Sequence, residues 1–176
     1  MANQKISQLT ELAVAASDDL IPIVDTSETE TKYIQYNNLV PDIYQMELNH
    51  APITPVDSST YYFGGVWSAA PTVAGVAYYR MHAARTGTIT EIYTSIGLGG
   101  NNGTAENSTL TLLKNGSTLQ EITAVAVYNT QYSSFSLTGL ALAVTKDDQM
   151  SIKWDTPAWV TNPNSVYHHV TLFITV

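Results

Sequence analysis

The sequence predicts an all-β protein, built as a small N-terminal β module followed by an antiparallel jelly-roll or β-sandwich domain. Three observations carry this reading. The stretch Ser108 to Gln120, STLTLLKNGSTLQ, reads as two strands joined by Asn115-Gly116. That dipeptide supplies the two positive-φ positions of a type I′ hairpin turn. On the first arm Leu110 and Leu112 share one face while Thr109 and Thr111 share the other, the alternation of a sheet buried on one side. Thr, a residue suited to strands and turns, occurs 23 times, whereas charged residues make up only 12%, well below the usual share.

Within 176 residues there is room for one ordinary core and a smaller attached module. The net charge of -8 argues against a nucleic-acid backbone or an anionic membrane surface as partner. Charge is also unevenly spread. Nine acids and two lysines fall within residues 1–57, six acids and five bases within 58–176, which suggests two parts with different jobs. With no cysteine there is no disulfide, thiolate metal site or thiol nucleophile. Neither a signal peptide nor an apolar run of membrane-spanning length is legible, so synthesis in the cytoplasm without membrane insertion is expected.

Residues 1–40 form the first module. A short apolar start leads to an acidic turn at Asp18-Asp19, a strand from Leu20 to Val24, a polar tip, a second strand from Lys32 to Tyr36 and a stop at Asn37-Asn38. Two strands this short need a neighbouring surface. The order I-S-Q-L-x-E-L, D-x-L-I-P-I-V-D, polar tip and T-K-Y-I-Q-Y-N-N-L resembles the N-terminal segment recurrent in virion proteins of tailed bacteriophages, among them tail fibres, tail spikes and head fibres. The resemblance covers about a fifth of the chain. It implies attachment to the particle ahead of a trimeric exposed part, with Ile6, Leu9, Leu12, Leu20, Ile21, Ile23 and Ile34 as the anchor contacts.

Residues 41–60 carry prolines at 41, 52 and 55 and a terminal Ser/Thr cluster, the composition of a linker, with a short helical turn expected within Ile43 to Leu48. Neither a heptad run nor a repeated shaft follows. The head is then 61–176, with strands predicted near 61–67, 74–81, 88–97, 108–113, 117–127, 132–137, 140–145, 149–154 and 166–176. On the last strand one face carries Val166, Val170, Leu172, Ile174 and Val176. The other carries Tyr167, His169 and Phe173, and is expected to meet a sister subunit. Its C-terminal half also resembles, more loosely, the jelly-roll tips of phage fibres and trimeric complement-like ligands, which implies a homotrimer.

Catalytic groups are hard to find. Adjacent strand residues point to opposite faces, so His168 and His169 of one chain cannot grip one ion, and no metal or cofactor is expected. The loop Gly97 to Asn107 lacks the Gly-Lys-Ser/Thr ending of a phosphate loop and reads as a mobile connection. No local base and orienting partner stand together, and the few carboxylates fall at turns or strand surfaces, so no enzyme is expected. In Asp155 to Ser165, Trp159 among Asp155 and Asn162 could offer a sugar ring an aromatic face and hydrogen-bonding groups; the alternative is a Trp159 packed over the end of the sandwich.

These features lead to the expectation of a structural component of a tailed-phage virion: a short capsid decoration protein or head fibre, partnered by itself as a homotrimer and by other virion proteins. The alternative is a tail-fibre receptor-binding protein that recognises host surface glycans.

Overall fold

The computed structural model describes residues 20–24, 31–35, 42–65, 80–124 and 128–176. The chain divides into two units, Met1–Asp42 and Ile43–Val176. In the first, β1 (Leu20–Val24) pairs antiparallel with β2 (Thr31–Gln35), Ile21 opposite Ile34. This is the hairpin expected from the two apolar runs around a polar tip.

The second unit holds β3 (Ile43–Asn49), β4 (Thr60–Phe63), β5 (Met81–His82), β6 (Gly87–Leu98), β7 (Ser108–Lys114), β8 (Ser117–Ala124), β9 (Tyr132–Val144), β10 (Gln149–Asp155) and β11 (Val166–Thr175). One sheet runs β4-β10-β7-β8, with β5 pairing the end of β10; the other runs β3-β11-β6-β9. All the pairings are antiparallel. Leaving β5 aside, this is the strand order of a jelly roll, whose two sheets close over one core. Leu48, Leu110, Ile152 and Leu172 are among its fully buried side chains. There is no helix among the described residues.

Two expectations about organisation are corrected. Residues 43–49 are neither linker nor helical turn but edge strand β3, which pairs along β11 from Ile43↔Thr175 to Asn49↔His169. Their pattern has period two: Met46 and Leu48 enter the core while Gln45 and Glu47 face out. The expected strands 132–137 and 140–145 are one strand, β9, with a register shift against β6 where Gly139 takes φ +70°. A bulge with a positive-φ glycine bends a strand without ending it. The expected strand 74–81 falls almost wholly outside the described residues, as do 66–67 and 125–127 at the ends of two others.

The Asn115-Gly116 turn has the geometry its sequence demands, with φ +52° and +81°. A second turn holds it in place. The Asn115 amide donates to Asp148 (2.7 Å), and its carbonyl oxygen accepts from the Gln149 backbone N–H (2.8 Å). Asp148 also accepts from the Thr145 backbone N–H at 2.8 Å. These bonds, the Thr145 N–H first, hold the Asp148 carboxyl below the usual carboxylate range.

Between the two sheets runs a buried polar chain whose direction is set by its ends. Trp154 Nε1–H can only donate, and does so to Ser108 Oγ (3.1 Å); Ser108 donates to the Tyr128 oxygen at 2.6 Å. At the other end the Ala51 carbonyl can only accept, so His50 Nδ1 carries a proton toward it (2.7 Å). His50 Nε2 must then accept from His168 Nδ1–H (2.8 Å), and His168 Nε2 from the Tyr128 hydroxyl (2.9 Å). Every ring nitrogen in the chain is used once and each hydroxyl both accepts and donates, with both histidines neutral. Burial pulls His50 down to about 4, and burial together with the neighbouring His50 pulls His168 well below the ordinary histidine value. Burial pushes the Tyr128 phenol upward.

Candidate functional site on the outward sheet face

A serine, a tyrosine and two histidines in hydrogen-bond contact could pass for a catalytic constellation. Here they cannot serve as one, because Ser108, Tyr128, His168 and His50 are all buried and no substrate reaches them. His168 is therefore a core residue. His50, expected in the linker, is its partner. His169 faces outward, 3.5 Å from Glu47, so the two adjacent histidines do lie on opposite faces.

The residues expected to touch a glycan do not form an open site. Trp159 is 5% exposed and sets its ring edge-on to Tyr128, centroids 5.5 Å apart, so it offers no face for a sugar to stack on. Its backbone N–H donates to Asp57 (3.3 Å), which ties the loop down over the sandwich end. Asp155 is occupied by Lys153 (2.6 Å) and the Thr60 hydroxyl (2.6 Å). Asn162 is exposed and bonds the Pro55 carbonyl (3.4 Å). The glycine-rich loop after β6 is likewise pinned rather than a free connection. Gly99 N–H donates to Ser165 O, Gly103 N–H to Tyr128 O and Thr104 N–H to Thr161 O, all within 3.0 Å.

Of the expected anchor residues, Ile6, Leu9 and Leu12 lie outside the described residues. Leu20, Ile21, Ile23 and Ile34 belong to the β1–β2 hairpin. The expected interface residues Tyr167, His169 and Phe173 do share one face of β11, and it is the outward face of the β3-β11-β6-β9 sheet.

That face carries the open aromatic cleft. Its rows follow from strand register: Tyr132, Gly97 and Tyr167 lie side by side on β9, β6 and β11; the next outward row is Ser134, Ser95 and His169; the next is Ser136, Tyr93 and Thr171. Gly97 decides the geometry of the first row. A Cβ built there would stand 2.0 Å from the Tyr167 ring, so the ring lies flat across the bare backbone of β6. It thereby reaches Tyr132, whose hydroxyl bonds to its own. Burial, followed by that bond, raises the Tyr167 phenol above its ordinary value. Tyr93, Ser95, Tyr132, Ser133, Ser134 and Tyr167 line the resulting cleft of about 290 Å3. Tyr132 is 68% and Tyr93 38% exposed, unusual for aromatic side chains on a sheet. None of these residues except Tyr167 stands out in the sequence, because the cleft is made by register between strands far apart in the chain. The one local hint is a tyrosine alternating with polar residues, as in Tyr132-Ser133-Ser134.

No family model matches this chain, and no curated protein matches it in sequence. Among solved structures it is similar to FlhE, with 11% identity, 76% of this chain and 98% of that one covered, and a TM-score of 0.45. It is also similar to the C-terminal CBM6 of LamC, a marine laminarinase from Zobellia galactanivorans (11% identity, 73% and 99% covered, TM-score 0.38). A family 35 carbohydrate-binding module from Clostridium thermocellum is comparable (12% identity, 74% and 97% covered, TM-score 0.35).

Proposed function

We propose that the protein is a non-enzymatic appendage of a tailed-phage virion, a short capsid decoration protein or head fibre attached through residues 1–42 and displaying residues 43–176 as a rigid head. The observation that carries this reading is the division at Asp42, which sets the hairpin unit resembling a virion anchor apart from a jelly roll with its own core. A particle-bound protein of this kind works by shape and burial: the N-terminal unit contributes strands to the virion and the head contributes a sheet face. In this reading the head is a homotrimer. Its subunits meet through the outward apolar edge where Phe173 on β11 lies diagonally across from Ile43 (50% exposed) on β3.

The test is co-sedimentation with gradient-purified phage particles that lack the protein. The full chain is expected to travel with them, and the head alone to remain in solution at three times its monomer mass by light scattering. The head has to begin at Ile43, because a start at residue 61 removes β3 with its buried Met46 and Leu48, and with it His50. A head that still sediments with particles refutes the anchor, and a full chain that binds neither capsid nor tail refutes the appendage. A monomeric head refutes the trimer.

A further inference from the structure

We infer that the cleft between Tyr93 and the Tyr132–Tyr167 pair is a binding site for an uncharged carbohydrate, with the tyrosine rings as stacking faces and Ser95 and Ser134 as the hydrogen-bonding floor. Three features of the cleft point to this ligand. Its lining contains no charged side chain. The charged groups on the same outward face, Glu91 and the Glu47–His169 pair, lie outside the lining. An ionic ligand would find no counter-charge in the cleft, and a purely apolar one would strip water from the Ser95 and Ser134 hydroxyls without replacing their bonds. A sugar satisfies both demands, because one side of its ring is a sheet of C–H groups and its rim is hydroxyls.

The spacing supports the same ligand. Tyr93 and Gly97 are four residues apart on β6, so the two aromatic walls stand about 13 Å from one another. That leaves room for about two linked sugar rings over the serine row. The site is also set in advance of binding. Gly97 lets the Tyr167 ring lie down, and the hydroxyl bond to Tyr132 holds both rings in one arrangement, which lowers the entropy lost when a ligand arrives. An aromatic platform assembled in this way has no structural need to be exposed, yet Tyr132 stands largely in solvent.

The experiment uses the full chain and neutral trisaccharides of glucose, galactose and N-acetylglucosamine, with trigalacturonate as the acidic contrast. Binding is followed by saturation-transfer NMR and tyrosine fluorescence. At least one neutral trisaccharide is expected to bind, more tightly than trigalacturonate. Tyr132→Ala should weaken it by about ten-fold, the worth of one aromatic stacking partner. Gly97→Ala provides a second variant that keeps all three tyrosines: its new Cβ displaces the tip of the Tyr167 ring, and binding should fall by a similar factor while the circular-dichroism melt stays cooperative. The inference is overturned if none of the neutral sugars binds, if trigalacturonate binds best, or if both variants bind as the parent does. It is equally overturned if Tyr132→Ala instead splits the assembly in light scattering, since the cleft would then be filled by a second copy. Because these measurements need no particles, their outcome is independent of whether the protein is a virion appendage.

Discussion

Tyr128 carries more of the core's polar order than its single hydroxyl suggests. That group accepts from Ser108 and donates to His168, so it is the point at which the donor run from Trp154 meets the acceptor run toward Ala51. Tyr128→Phe keeps the ring and its stacking on Trp154, centroids 6.0 Å apart, but leaves the buried Ser108 hydroxyl without an acceptor for its proton and the buried His168 Nε2 without a donor. The expected loss is about 1–3 kcal/mol of unfolding free energy, the cost of stranding such groups. Urea titration checks it, with Tyr132→Phe, at an exposed position, changing stability by less than about 0.5 kcal/mol. None of this was legible in the chain. His50 and His168 are 118 positions apart, and a histidine beside prolines gives no sign that it will be sealed in a core. Trp159 was legible only as a choice between two environments, because a tryptophan among polar residues suits an exposed platform and a loop plug equally well.

At the scale of the element, the β7–β8 hairpin offers the most direct test. Gly116 sits at φ +81° and a Cβ added there would meet nothing within 4 Å, so Gly116→Ala measures backbone strain alone. A loss of about 1–2 kcal/mol is expected for a non-glycine residue held in the left-handed region. In a domain of this size each kcal/mol lost lowers the melting temperature by about 2–4 °C. Gly116→Asn should cost less, since asparagine tolerates that region, as Asn115 does at φ +52°. A thermal melt in which both variants match the parent would show that the turn is not a rigid part of the fold. Turn chemistry of this kind is local, which is why the hairpin, β10 with its inward Met150, Ile152 and Trp154, and both faces of β11 could be read from a few residues. What could not be read depends on distant partners. The alternation in Tyr44-Gln45-Met46-Glu47-Leu48 is that of a strand, but three nearby prolines suggested a linker, and only pairing with β11 makes it one. The tyrosine cleft is of the same kind, because no local feature announces that Gly97 will stand between Tyr132 and Tyr167.

At the scale of the molecule, the polar chain ties the two sheets together, since Ser108 and Trp154 come from one and His168 from the other, with His50 just beyond the end of β3. Both histidines are neutral in the folded state, and that makes the whole domain sensitive to acid. In the unfolded chain each takes up a proton near pH 6.5, whereas in the fold burial holds His50 unprotonated to about 4 and His168 lower still than an ordinary histidine. Between those limits the unfolded state binds more protons, so unfolding free energy falls as pH falls. Each histidine contributes up to about 1.4 kcal/mol per pH unit, and the two together up to about 2.7. The contribution is complete above pH 6.5 and drains away below it, ahead of the carboxylates, whose protonation in the unfolded chain begins near pH 4. Against a total stability of roughly 5–15 kcal/mol, a drop of this size across two pH units is large. Urea midpoints taken from pH 7.5 to 4.5 are therefore expected to stay level above 6.5 and then decline steeply. In the same window the imidazole resonances of His50 and His168 should not titrate while the protein remains folded. A stability profile that is flat from pH 6.5 to 4.5 would mean that protonation is accommodated in the core, and that burial does not hold these two rings neutral.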